Sequence, residues 1–287
     1  MAKPVVSDLP ADAARENAVA DLELSLLLEA IQRSSGYDFG SYAPATLKRR
    51  VAERMRVEGV QTISGLQDRV LHDADALARF VLAMSNGRTR LFEDPEFFRT
   101  FRARIVPLLR TYSFTRIWIP NCASGEEAYS LAVLLHESGL LERSMIYATD
   151  VSELAITAAR AGEFEIDSPQ AAVAAHRATG AELALTEVCE LGDRSARFGD
   201  ALRRHMIFAQ HSLVTDGSLN EFHVIVARGV LPQFNKTLQF RVHNLFLSSL
   251  VRLGFLCLAS NETLRQTPHE SVFRRFGDDA PIYRRMR

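Results

Sequence analysis

The chain has 287 residues, 34 Lys+Arg against 35 Asp+Glu, 47% hydrophobic and 24% charged residues, which excludes disordered, collagenous and disulfide-scaffold classes. A formal net charge of −1 argues against a globally electrostatic nucleic-acid binder. The balance hides an asymmetry: 3 basic and 7 acidic residues fall in 1–40, 14 and 8 in 41–116, and 17 and 20 in 117–287. An acidic partner should therefore meet the middle segment.

Residues 1–20 are polar and Ala-rich and read as a loosely ordered N-terminus. Leu24, Leu27, Leu28 and Ile31 then repeat at helical spacing, which predicts a helix over about 22–32. A second helix is expected from Pro44, with Leu47, Val51 and Met55 on its apolar side and Arg49, Arg50, Arg54 and Arg56 on the others. Two more fit 66–71 and 75–84, giving a helical domain over 21–85 followed by a linker over 86–115.

The pattern changes after residue 115. Short β-type runs at 116–119, 145–148, 206–209, 222–226 and 255–258 alternate with helical patterns at 126–138, 152–161 and 237–252. Such alternation predicts an α/β domain over 116–287 with a doubly wound, mostly parallel sheet. Ile282 and Tyr283 could add an edge strand, and residues 163–204 read as an inserted subdomain because they are too long for a plain connection.

The stretch Ile117 to Glu127 is a strand, a small-residue turn and a helix start, where a nucleotide-like ligand meets helix N-terminal amides. Asp150 ends the next strand, placed to accept hydrogen bonds from ribose hydroxyls. The turn lacks a full G-x-G-x-x-G, so a plain strand-to-helix corner is an equal reading. Cys122, Cys189 and Cys257 are too widely spaced for a zinc knuckle, and the scattered histidines suit no metal site. No apolar run reaches signal-peptide or membrane-span length, so a cytoplasmic protein without membrane insertion is expected.

Four blocks carry a resemblance: Glu93-Asp94-Pro95-Glu96-Phe97-Phe98; Cys122-Ala123-Ser124-Gly125-Glu126-Glu127-Ala128-Tyr129-Ser130; Tyr147-Ala148-Thr149-Asp150; and Val224-Ile225-Val226-Ala227-Arg228-Gly229-Val230-Leu231 with Phe234-Asn235-Lys236. In order and content they resemble the CheR family, S-adenosylmethionine-dependent methyltransferases that esterify glutamates on chemoreceptors. The resemblance implies a Rossmann-like methyltransferase domain, an all-helical N-terminal domain and a small inserted β-subdomain. It also implies a cofactor site of Thr89, Glu126, Asp150, Ser212, Leu213, Arg228 and Gly229, which would hold S-adenosylmethionine or S-adenosylhomocysteine. The basic helix carrying Arg49, Arg50, Arg54 and Arg56 would face a chemoreceptor or other acidic helical signalling protein. The alternative for those arginines is a solvated face paired with Glu53.

This chain departs from the family pattern at the site itself. Asn121 replaces a turn glycine, Glu93 an arginine, Ser212 and Gly229 asparagines, and Gln233 a tyrosine lining the methyl-transfer site. Reversing the charge at 93, about 4 Å from an anionic group, would turn an attraction of ~4 kcal/mol into a similar repulsion at an effective dielectric of ~20. The expectation is a family member with lost or weakened cofactor binding, acting mainly as a protein-binding module. An active methyltransferase of receptor glutamates is the alternative.

Overall fold

The computed structural model describes residues 9–85, 89–219, 221–277 and 280–287. Four helices open the chain: α1 (Leu9–Ser35), α2 (Pro44–Glu58), α3 (Ile63–His72) and α4 (Ala74–Met84). Helix α1 already runs from Leu9, through residues that the sequence suggested were loosely ordered. Pro44 starts α2 without forfeiting a hydrogen bond, and Gly59 ends it in the left-handed region at φ 69. Thr62 and Asp73 cap α3 and α4 through their side-chain oxygens.

Helices α5 (Pro95–Thr100) and α6 (Val106–Leu109), joined by a π-helical turn, lead into β1 (Thr115–Pro120). The chain continues through α7 (Glu126–Glu137), β2 (Ser144–Asp150) and α8 (Glu153–Ala161). Next come β3 (Glu163–Glu165), α9 (Pro169–Ala178), β4 (Cys189–Leu191), β5 (Ser195–Phe198) and α10 (Asp200–Arg203). Then follow β6 (Met206–Gln210), β7 (Phe222–Val226), α11 (Lys236–Ser249), β8 (Leu250–Cys257), β9 (Phe273–Arg275) and β10 (Ile282–Arg285).

The large sheet has the order β6-β2-β1-β7-β8-β10-β9, parallel from β6 to β8. Strand β10 is antiparallel to both neighbours, so Ile282 and Tyr283 are interior to the sheet and the short β9 forms the edge instead. Strands β3, β5 and β4 make a separate antiparallel sheet within the expected insert. Helix α11 stops at Ser249, and Leu250–Arg252, expected to be its last turn, begin β8.

Burial divides into two clusters on opposite faces of the sheet. One packs α5 to α8 and the insert against Ile117, Ile119, Ile146 and Val224. The other joins Leu27, Val51, Phe80 and Met84 of the helical domain to Trp118, Phe222, Phe246 and Leu256. The N-terminal helices thus share a core with the sheet. Trp118 is fully buried there, its Nε1 donating to Thr149 Oγ1 at 2.9 Å.

In the parallel part of the sheet the connections run to opposite sides of the β1/β7 pair. A crevice at the carboxyl ends of those strands follows from that reversal.

Candidate functional site

The turn after β1 keeps a left-handed backbone at three positions: Asn121 (φ 55), Ala123 (φ 49) and Gly125 (φ 99). Cys122 N donates to Thr149 O at 2.9 Å, pinning the turn to the end of β2. At Gly125 an added Cβ would lie 2.9 Å from the Ala159 Cβ, so glycine lets α8 pack against the turn. Asn121 takes the strained conformation that its side chain tolerates better than most. Its Nδ2 is buried and has no acceptor.

Asp150 ends β2 fully buried. Its Oδ2 accepts from Ala123 N at 3.0 Å and Ser85 Oγ at 2.8 Å, and its Oδ1 from Ser152 N at 2.9 Å. Burial raises its pKa, and these donors pull the other way. Glu126, the first residue of α7, accepts from Ser124 Oγ through both oxygens and from Thr89 Oγ1 through Oε2, all at 2.8 Å. Its carboxylate also suits the positive end of the helix. A cleft of about 640 Å³ opens beside it, lined by Thr89, Ala123, Ser124, Leu154, Ala158 and Phe164 among others.

Arg228 follows β7 and is clamped. Its Nη1 donates to Glu127 at 2.6 Å and its Nη2 to Asp94 at 2.9 Å, while the guanidinium lies 4.4 Å from the Phe97 ring centre. Burial works against its charge, but the two carboxylates outweigh it and raise its pKa. Ser212 turns back on its own loop, its Oγ accepting from Val214 N and Thr215 N, and Leu213 is buried. Gly229 is left-handed at φ 69 with open space where a Cβ would stand. Its carbonyl accepts from Gln233 Nε2 at 2.9 Å.

Three sequence expectations need correction. Glu93 is exposed and its carboxylate accepts Arg90 N of its own loop at 3.2 Å, so the reversed charge faces solvent while still adding, behind burial, to the upward push on the nearby Glu127 pKa. Arg50 is buried: Nη2 donates to Gln233 Oε1 at 2.8 Å and Nη1 to Met84 O, so it joins the helical domain to the loop after β7. Arg54 pairs with Glu58 at 2.9 Å and is nearly buried. Of the four arginines expected to face a partner, Arg49 and Arg56 are exposed, and Arg56 pairs with Glu53.

Most of the expected cofactor-site residues form three groups, Thr89 with Glu126, Asp150 with the turn, and Arg228 to Gln233 with Arg50, while Ser212 and Leu213 join none of them. Ser85, Asp94, Ser124, Glu127 and Glu262 complete these groups. Asp94, Ser124 and Glu127 lie within the motif blocks, whereas Ser85 and Glu262 carry no local signal.

The family model described as "CheR methyltransferase, all-alpha domain" matches residues 22–85, and "CheR methyltransferase, SAM binding domain" matches residues 87–277. The chain belongs to the CheR methyltransferase family. A protein of Pseudomonas putida carrying the name Cher3 is 37% identical over 265 residues, covering 92% of this chain and 97% of its own. Chemotaxis protein methyltransferase 1 of Pseudomonas aeruginosa is 27% identical, with 88% and 93% covered. The chemotaxis protein methyltransferase of Listeria monocytogenes is 26% identical, with 86% and 92% covered. As a CheR homologue the chain has the Rossmann-like methyltransferase fold behind an all-helical domain, as its motifs suggested. Among the described residues no helix is long and apolar enough to cross a membrane.

Proposed function

We propose that this chain binds S-adenosylmethionine and S-adenosylhomocysteine at the carboxyl edge of the sheet and esterifies a carboxylate of an acidic helical signalling protein, such as a chemoreceptor. The observation that carries the reading is the turn: it holds its left-handed path with Asn121 in place of glycine, and Asp150 receives the Ala123 amide beneath it. The acceptor set fits the cofactor. Asp150 and Glu126 already hold the hydroxyls of Ser85, Ser124 and Thr89 at 2.8 Å, the same O–H donors that a ribose presents.

The cofactor supplies an electrophilic methyl group on a sulfonium sulfur. An ionised carboxylate acceptor has no proton to lose, so the chain need not provide a general base. Its task is alignment of the acceptor oxygen and exclusion of water, the entropic part of catalysis. Asp150 and Glu126 would hold cofactor hydroxyl and amino groups, and the clamped Arg228 keeps the acceptor-side loop in place. Arg49 and Arg56 are the exposed cations that would meet the partner.

A second reading, a protein-binding module with weakened cofactor affinity, is favoured by Gln233. It engages Arg50 where the family pattern has a tyrosine at the methyl-transfer position. Titration calorimetry decides between them. Binding of S-adenosylhomocysteine at about 10 µM or tighter supports the enzyme. No heat at several times that concentration leaves the module.

A further inference from the structure

Glu262 lies in the turn after β8, outside every motif, and is 8% exposed. Its Oε2 accepts from Gly229 N and from Ala259 N, both at 2.8 Å, and its Oε1 from Leu231 N at 3.2 Å. A single buried carboxylate therefore ties the loop after β7 to the loop after β8. Burial raises its pKa against the pull of these three amides and the Arg228 charge.

The Gly229 peptide is held from both sides. Its N–H meets Glu262, its carbonyl meets Gln233 Nε2, and Gln233 Oε1 receives Arg50 from α2. No neighbouring atom lies within 4 Å of a Cβ at Gly229, so crowding does not set its φ of 69.

We infer that Glu262 is a positioning residue for the acceptor-side loop, acting through the Gly229 peptide and Gln233 to hold Arg50. Together with the backbone bonds from Ala43 N to Gln233 O at 2.8 Å and from Asn235 N to Ser41 O at 2.9 Å, the contact sets where α2, the helix whose exposed face would meet a partner, stands relative to the loop at the end of β7. The inference deepens the proposed function by adding a residue to the same site. The hydrogen-bond relay itself needs no bound cofactor.

The test is hydrogen exchange on the full chain without added ligand. Glu262→Gln keeps the side-chain shape but replaces one acceptor oxygen with a donor group that must face an amide. Exchange over 228–235 should accelerate about tenfold, and the acceleration should reach residues 46–55 of α2. A merely structural Glu262 would loosen 229–231 and 259–262 and leave α2 unchanged, and that result overturns the relay. Gln233→Ala tests the second link and serves if Glu262→Gln does not fold. It should loosen α2 while leaving 259–262 protected. Unchanged α2 exchange in that variant overturns the inference too. Calorimetry of the unaltered chain with S-adenosylhomocysteine separately tests the cofactor reading, so failure of one is distinguishable from failure of the other.

Discussion

Asn121 shows how a departure from a family pattern can be absorbed by one residue. It keeps the turn left-handed at φ 55 while burying an Nδ2 that has no acceptor. Asn121→Gly should remove both costs and stabilise the chain by about 1 kcal/mol in chemical denaturation. Lower stability of the variant would mean that the asparagine makes a contact worth more than its strain. Glu93 makes the opposite case. Its charge faces solvent, where it is screened, so Glu93→Gln should change S-adenosylhomocysteine affinity by less than about threefold. Asp150→Asn, which places an amide against the Ala123 N–H or the Ser152 N–H, should weaken it more than about tenfold. The sequence made residue 93 prominent because alignment reports which residue is present but not which way its side chain turns.

At the scale of elements, the Glu58 hub holds three helices together. Arg54 of α2, Arg69 of α3 and Arg79 of α4 converge on this one carboxylate at 2.9 to 3.1 Å. Hydrogen bonding from Arg79 first, with Arg69 and Arg54 adding to it against burial, lowers its pKa from 4.5 to about 2. A carboxylate depressed in the folded state stabilises above its unfolded pKa and loses that contribution as pH falls from 4.5 towards 2. With Arg69 and Arg79 open to solvent, Glu58→Gln should cost about 1 kcal/mol at pH 7 and flatten the acid limb of the stability profile over that range. A second element-scale switch is His243 on α11. Burial, with the His269 charge, pushes its pKa down to about 4. Its neutral form is the stabilising one, so stability should fall as pH drops from 6.5 to 4, and less so in His243→Phe.

Most of these elements were legible from periodicity, because a helix or strand with one buried face writes that face into the sequence. The basic stripe of α2 was not. Arg50 and Arg54 have the same spacing as exposed arginines, and their burial depends on Gln233, 183 residues away, and on Glu58, one turn ahead. Strand β9 is three residues long and pairs only with β10, too short for a period to show.

At the scale of the whole molecule, the shared core is decisive. Leu27, Val51, Phe80 and Met84 belong to the same buried cluster as Trp118, Phe222 and Phe246. A helical domain packed this way has no separate core to fall back on. Heating should therefore give one cooperative transition by calorimetry, and two resolved transitions would show that the helical domain is independently stable. Charge acts at this scale as well. Of the basic excess carried by residues 41–116, much is spent inside the fold on Glu58 and the Gln233 loop. Replacing the exposed Arg49 and Arg56 by Glu should weaken an acidic helical partner and make the remaining binding less salt-sensitive, measured as the slope of affinity against ionic strength.

Trp118 is the one tryptophan of the chain. It stacks on Phe222, meets His211 and Phe246 edge-on, and lies three residues before Asn121. The fold has thereby placed a single intrinsic fluorophore directly under the turn, bonded to the Thr149 side chain whose backbone pins that turn. Its emission should register any ligand that shifts the turn. Ligand binding at this site could be followed optically, with no label attached.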